Sequence, residues 1–200
     1  MAEKFRCPWC LSDGVYVKYH DKEWGRPLKN NQRLFEFLIL DGAQAGLSWL
    51  TILKRREGYR EAFDSMNPEL MARYTERDIG RLMNDARIIR NRRKIESAAG
   101  NARAYLRMME GPVSFSKWLW NWVDGTPVIN RFKTLGEIPA STPLSENISK
   151  DLKKRGFSFV GPTIIYAFLQ AAGLVNDHLV DCFRHPDHSG HTESGGSSSR

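Results

Sequence analysis

The sequence predicts an all-α fold. Apolar residues recur at helical spacing along most of the 200-residue chain, residue types suited to helix starts and stops bracket those stretches, and no strand with an evident partner interrupts them. Hydrophobic residues make up 41% of the chain, enough to bury a core in one domain. We expect that domain to span residues 1–183, as two helical lobes sharing one cleft.

The elements follow in order. Asn30 or Asn31 can cap a helix whose apolar face is Leu34, Phe35, Leu38 and Ile39, with Gly42 and Gly46 interrupting it. Ser48 can cap a second helix through Trp49, Ile52 and Leu53. Asn67-Pro68 pairs a cap with proline at the first helical position, and Thr75 with Asp78 resembles a capping box. A long helix with a small-residue face is expected from Ile88 to Leu106, its basic start (Arg87, Arg90, Arg92, Arg93, Lys94) reading mostly as a solvated face. Trp118, Trp120 and Trp122 alternate as a strand would, but Ser114 or Ser116 can cap a short helix there, and we prefer the helix. Residues 124–142 read as loop. Thr142-Pro143 then opens a helix stopped by Lys153-Lys154-Arg155-Gly156. Gly161-Pro162-Thr163 opens another, Ile164 to Ala172, and residues 184–200 read as a disordered tail.

The formal net charge is +7, which favours a polyanionic partner such as nucleic acid or an anionic membrane surface. No run of about 18 apolar residues is present, so no membrane span is expected. The start, Met-Ala-Glu-Lys-Phe-Arg-Cys, lacks the apolar stretch of a signal peptide, and a reducing, cytoplasmic location is the expectation. Three cysteines in such a location read as metal ligands or plain thiols rather than a disulfide framework.

Two ligand sets for a metal are open. Cys7 and His20 near the start could join His178 and Cys182 near the end, the latter pair spaced so that one helical turn presents both. Alternatively Cys7-x2-Cys10 could supply the first pair. Either closes a tetrahedron and leaves no position for water, which makes the site structural. His185, His188 and His191 read as tail histidines.

Aromatic residues crowd the first half: Trp9, Tyr16, Tyr19, Trp24 and Trp49. Aromatic faces can sandwich a flat, electron-poor ring, and a cationic ring gains further attraction. Asp41, at the end of an apolar helix, is costly there without a partner and could accept from a base's amino edge. The alternative is that the aromatics are core and Asp41 caps the next turn. The segment from Leu152 to Thr163 is a helix, a glycine-bounded turn and a second helix. Free backbone N–H groups at Gly161 and Thr163, with the Thr163 hydroxyl, could hold a phosphate while Lys153 and Lys154 add charge. An ordinary helical hairpin with a solvated basic end fits the same pattern.

Several stretches together resemble the bacterial 3-methyladenine DNA glycosylase I family. They are Arg6-Cys7-x-Trp9, Tyr19-His20-Asp21-x-Glu23-Trp24-Gly25, Gln44-Ala45-Gly46-Leu47-Ser48-Trp49 and Ile88-Ile89-Arg90. Further along come Gly100-Asn101-Ala102-Arg103-Ala104-Tyr105-Leu106, the stretch from Lys153 through Gly161, and Gly173-Leu174-Val175-Asn176-Asp177-His178. The resemblance spans about residues 6–183. It implies a helix-hairpin-helix glycosylase fold in which a structural zinc joins the N- and C-terminal segments through Cys7, His20, His178 and Cys182, leaving Cys10 out. It implies a base pocket of Trp9, Tyr16, Tyr19, Trp24 and Trp49, with Asp41 where the family usually has glutamate. Gly46 and Leu47 correspond to the turn that enters the DNA stack, and an apolar wedge suits the gap left by a flipped nucleotide.

The expected partner is double-stranded DNA carrying alkylated bases, acted on by a monomer, with free 3-methyladenine as product. A cationic purine is already a good leaving group, which accounts for the lack of an acid–base dyad, and no lysine is placed for lyase chemistry. Asp177 is a second candidate acid, but we favour it orienting His178 from behind the metal. Rival readings are a glycosylase for another lesion, a zinc-stabilised DNA-binding module, and a tryptophan-rich ligand-binding domain.

Overall fold

A computed structural model describes residues 4–188. Within them the chain forms ten α-helices, several single 3-10 turns and one pair of two-residue strands. The helices are α1 (Gly14–Lys22), α2 (Asn31–Gln44), α3 (Trp49–Leu53), α4 (Arg56–Ala62), α5 (Pro68–Met71), α6 (Glu76–Met83), α7 (Arg92–Met109), α8 (Phe115–Asn121), α9 (Pro143–Lys154) and α10 (Pro162–Ala171). None is long and apolar enough to cross a membrane.

The caps fall where their chemistry places them. Asn30 accepts from the N–H of Arg33, Ser48 from Thr51, Ser114 from Lys117 and Asn67 from Glu69 and Leu70. Thr75 and Asp78 form a reciprocal capping box. The helix expected from Ile88 begins only at Arg92, because the Asn91 side chain accepts from the N–H of Lys94 and starts it there. The last helix begins at Pro162, two residues earlier than expected.

Helix α2 is the centre of the molecule. Every residue from Leu34 to Ala43 is buried, because α3, α7, α8 and α10 pack around it. A helix buried on all sides must carry few polar groups, and each needs an explanation. Glu36 has one: Arg60 donates to it from Nε at 2.9 Å. Contrary to the expectation that it interrupts the helix, Gly42 lies within α2 and admits the backbone of Phe159, whose carbonyl oxygen would lie 3.4 Å from an added Cβ.

That close approach fixes the turn between α9 and α10. Gly156, at φ +91°, ends α9 with the N–H of Phe157 bonded to the carbonyl of Leu152 and that of Gly156 to Lys153. Asn101 of α7 then pins the turn by donating to the Ser158 carbonyl (3.0 Å) and accepting from its N–H (2.8 Å).

Three expectations need correction. Val128–Ile129 (β1), within the region 124–142 read as loop, pairs in parallel with Val175–Asn176 (β2). Residues 178–182 form loop and turn rather than a helical turn. Residues 184–188, read as the start of the tail, are placed: His185 is buried with Nε2 3.1 Å from the Asn130 carbonyl. His191 and the rest of the tail lie outside the described residues.

Candidate active site and metal centre

Helix α1 serves two neighbouring sites. His20, one turn after Tyr16, reaches the C-terminal segment. Beside it Tyr16 and Tyr19, three residues apart, line a cavity of about 260 Å3. Set against roughly 30 Å3 per water molecule, this accommodates a flat bicyclic ring. All five predicted aromatics line it, and so does Asp41. A larger open groove of about 550 Å3, against Trp118 and Trp122, contains none of the predicted base or metal residues.

The walls meet at steep angles. Trp9 packs edge-on against Tyr16 (5.1 Å between centroids, 81°) and Trp24 (5.1 Å, 74°), and Tyr19 lies tilted against Trp49 (5.6 Å, 52°). The Tyr16 hydroxyl accepts from the N–H of Leu50 at 3.1 Å, which ties it to the first turn of α3 beside Trp49. Asp41 is 2% exposed, and its Oδ2 has no hydrogen-bond partner among the described residues. Burial pushes its carboxyl well above the usual carboxylate range. The Trp49 Nε1 donor is likewise buried without a partner. One orphan acceptor and one orphan donor therefore border the same cavity, in a fold that pairs nearly all its other buried polar atoms.

Four lining residues escaped the sequence reading: Gln44, Ile138, Ala167 and Gln170. Gln44 was legible, since it follows Asp41 by three residues on α2 and shares its face. Gln170 was not, because its place depends on how α10 crosses α2.

Through His20, α1 meets the C-terminal segment. Cys7, His20, His178 and Cys182 are all buried, and their ligand atoms lie within 4.8 Å of one another. Cys182 Sγ is 3.4 Å from His20 Nε2 and 3.5 Å from His178 Nδ1; Cys7 Sγ is 3.8 Å from His178 Nδ1. The edges of a zinc tetrahedron with ordinary Zn–S and Zn–N bonds are about 3.5 Å; the three separations given are near that value, and the widest pair, up to 4.8 Å apart, would have to draw in around an ion. The tautomers fit as well. His20 Nδ1 faces Asp21 Oδ1 at 2.8 Å and His178 Nε2 faces the Trp24 carbonyl at 3.2 Å. Each ring therefore spends its N–H outward and turns a lone pair toward the sulfurs. The hydrogen bond from Cys7 holds the Cys182 thiol far below its usual range. Cys10 is buried but outside the cluster.

Asp21, in turn held by Arg6 Nη2 at 2.9 Å, is thus the carboxylate behind the Cys/His cluster. Asp177 is not. Its oxygens accept from Asn130 (2.7 Å), Gln170 (2.7 Å) and Tyr166, and it does not touch the His178 ring. Through Gln170 it steadies the pocket wall instead.

Of the expected DNA contacts, Gly46 and Leu47 are exposed in the turn after α2, next to the pocket residue Gln44. Lys153 and Lys154 are exposed at the end of α9 and form no ion pair among the described residues; Thr163 is exposed at the start of α10, and Gly161 is its half-buried N-cap.

Aromatic walls around a lone buried carboxylate, braced by a four-ligand Cys/His cage, define a helical protein with a slot for a flat, electron-poor ring. A family model described as methyladenine glycosylase matches residues 9–185, and the chain belongs to that family. It is 50% identical over 181 residues to DNA-3-methyladenine glycosylase 1 of Escherichia coli K12, covering 90% of this chain and 97% of the relative. The crystal structure of a 3-methyladenine DNA glycosylase I superposes with a TM-score of 0.89 at 49% identity, over 91% of this chain and 100% of the other. The 3-methyladenine DNA glycosylase I of Staphylococcus aureus, solved to explain 3-methyladenine recognition, gives 0.88 at 42% identity, over 92% and 97%.

Proposed function

We propose that this chain is a monofunctional DNA glycosylase that flips 3-methyladenine out of alkylated duplex DNA and hydrolyses its N-glycosidic bond. The observation that carries the reading is the Asp41 carboxylate, buried and unpartnered at an aromatic cavity of about 260 Å3. A buried charge without a partner is tolerated where a cation arrives to pair with it.

The complement follows from the orphan atoms. An alkylated adenine offers an amino edge to Asp41 and a ring nitrogen to the Trp49 Nε1 donor, while its positive ring lies among electron-rich aromatic faces. Asp41 is one methylene shorter than the glutamate of the family pattern, which the base meets by seating deeper. When the N-glycosidic bond breaks, its electron pair returns to the ring and neutralises it, so the leaving group needs no proton. Water then attacks the sugar carbon. No lysine is among the residues lining the cavity, so none is placed there for Schiff-base lyase chemistry. Asp41 selects the cation and stabilises it up to the moment of cleavage.

The DNA contacts complete the reading. Leu47 fills the space of the extruded nucleotide, Lys153 and Lys154 approach the phosphates, and the N–H groups near Gly161 and Thr163 at the start of α10 hold one phosphate, as a helix-hairpin-helix element does. Zinc, held by Cys7, His20, His178 and Cys182, would supply stability rather than chemistry, since four protein ligands leave no site for water. The enzyme acts as a monomer.

Free 3-methyladenine released from methylated duplex DNA is the test. Release by the wild type, largely lost in Asp41→Ala, is expected. Salt-dependent duplex binding with no base released would instead identify a DNA-binding module.

A further inference from the structure

The turn that carries Leu47 is held by a residue outside the pocket. Ala45 (φ −44°, ψ 119°) and Gly46 (φ +76°) are the central residues of a type II β-turn, closed by the N–H of Leu47 on the Gln44 carbonyl at 2.7 Å. Type II differs from type I chiefly by a flip of the central peptide. The Ala45 carbonyl therefore decides which way the turn presents Leu47, which is 37% exposed.

Lys94 grips that carbonyl. Its Nζ donates to the Ala45 oxygen at 2.6 Å and to the Ala43 oxygen at 2.8 Å, one of the carbonyls that the end of α2 leaves without a helical partner. A cation suits that end of the α2 dipole. It does not suit its own helix, because Lys94 sits in the first turn of α7, where the dipole disfavours positive charge. It forms no ion pair among the described residues, and burial lowers its pKa. A half-buried lysine set against its own helix dipole is there for the turn it holds.

We propose that Lys94 is a positioning residue for base extrusion: by locking the Ala45 carbonyl it fixes the type II turn and presents Leu47 rigidly to the duplex. The inference rests on the glycosylase reading and on Leu47 as the wedge. It separates two parts of the reaction, since the pocket binds the base while the Lys94–Ala45 contact sets the cost of getting it there.

The experiment compares Lys94→Met, Lys94→Arg, Leu47→Ala and the double variant Leu47→Ala/Lys94→Met. Three quantities are read: kcat/KM for 3-methyladenine release from methylated duplex, affinity for free 3-methyladenine by tryptophan fluorescence, and the salt dependence of duplex binding. Lys94→Met should lose about tenfold in kcat/KM with free-base affinity within twofold of wild type, and Lys94→Arg should recover part of the loss. The double variant should be no worse than Leu47→Ala alone, because the lysine acts through the leucine. Unimpaired release by Leu47→Ala refutes the wedge and the lysine's route together. Impaired Leu47→Ala with unimpaired Lys94→Met refutes the lysine alone. A drop in free-base affinity in Lys94→Met shows that the lysine shapes the pocket, and a salt slope lower by roughly one unit shows a phosphate contact; either overturns the proposal.

Discussion

Replacing Asp41 by asparagine should make the protein more stable and the enzyme worse. The substitution keeps shape and removes charge. In the folded protein the carboxylate is 2% exposed and Oδ2 has no partner among the described residues. Leaving a buried polar group unsatisfied costs about 1–3 kcal/mol, more when it is charged. Asparagine keeps an unsatisfied polar group there and removes only the excess due to charge; about 2 kcal/mol of that excess raises Tm by roughly 4–8 °C in a domain of this size. In the proposed function the same carboxylate would supply a charge-assisted hydrogen bond to the cationic base, worth about 1.5–3 kcal/mol, so kcat/KM should fall roughly 10- to 150-fold. The pH dependence fixes the sign independently. Burial raises the Asp41 pKa in the folded state. Its protonated form therefore favours folding at low pH, and that contribution is lost as pH rises through the raised value. The Tm advantage of Asp41→Asn should then widen with rising pH. If the proposed role of the carboxylate holds, the acid limb of kcat/KM should lie above the ordinary aspartate range and vanish in the variant. Calorimetry and base-release kinetics across pH measure both. A variant that excises like wild type, or that melts lower at neutral pH, would refute the reasoning.

Other perturbations test the supporting structure. Stripping zinc with a chelator should lower Tm steeply, since such sites contribute on the order of 10 kcal/mol, and should quench free-base binding with it; calorimetry and tryptophan fluorescence read both. Gly25→Ala puts a side chain at φ +71° with its Cβ 2.9 Å from His178 Nε2. A loss of about 1–3 kcal/mol for the strained backbone, with weaker zinc retention, is expected by denaturant titration and metal analysis. Asn101→Ala removes both bonds that pin Ser158. Duplex affinity should fall severalfold in a binding titration while free-base affinity holds.

What the sequence disclosed was local chemistry, and what it withheld was how distant elements cross. Asn30, Ser48, Asn67, Thr75 and Ser114 announce their helices because a cap acts over three residues. The five aromatics and Asp41 were found by composition and family pattern, and they border one cavity. Spacing alone could not separate His20 from Cys10; the fold does, since only His20 points from α1 at Cys182. Asp177 was misread because its sequence neighbour is His178, whereas the β1–β2 pair and α10 bring Asn130, Tyr166 and Gln170 to it. Asp21 adjoins His20 just as closely, and there adjacency does become a hydrogen bond. Sequence neighbours on loops diverge or meet according to backbone direction, which no spacing rule records.

The metal cage and the pocket are best understood as one device. Helix α1 has nine residues, too few to persist alone in water. It contributes Tyr16 and Tyr19 to the pocket and His20 to the cage, so its orientation is set from both sides. Trp24 repeats the arrangement: its ring lines the cavity and packs edge-on against His178 at 4.6 Å, while its carbonyl faces His178 Nε2. Three of the six pocket residues named from sequence therefore take their positions from segments that the Cys/His cluster joins. An uncharged, greasy slot could be held by packing alone. A slot containing an unpaired carboxylate pushes against its own burial, and the walls around it need a tie that does not yield. Four buried Cys and His side chains drawn from both ends of the fold are placed to provide that tie, away from the cavity that Asp41 lines.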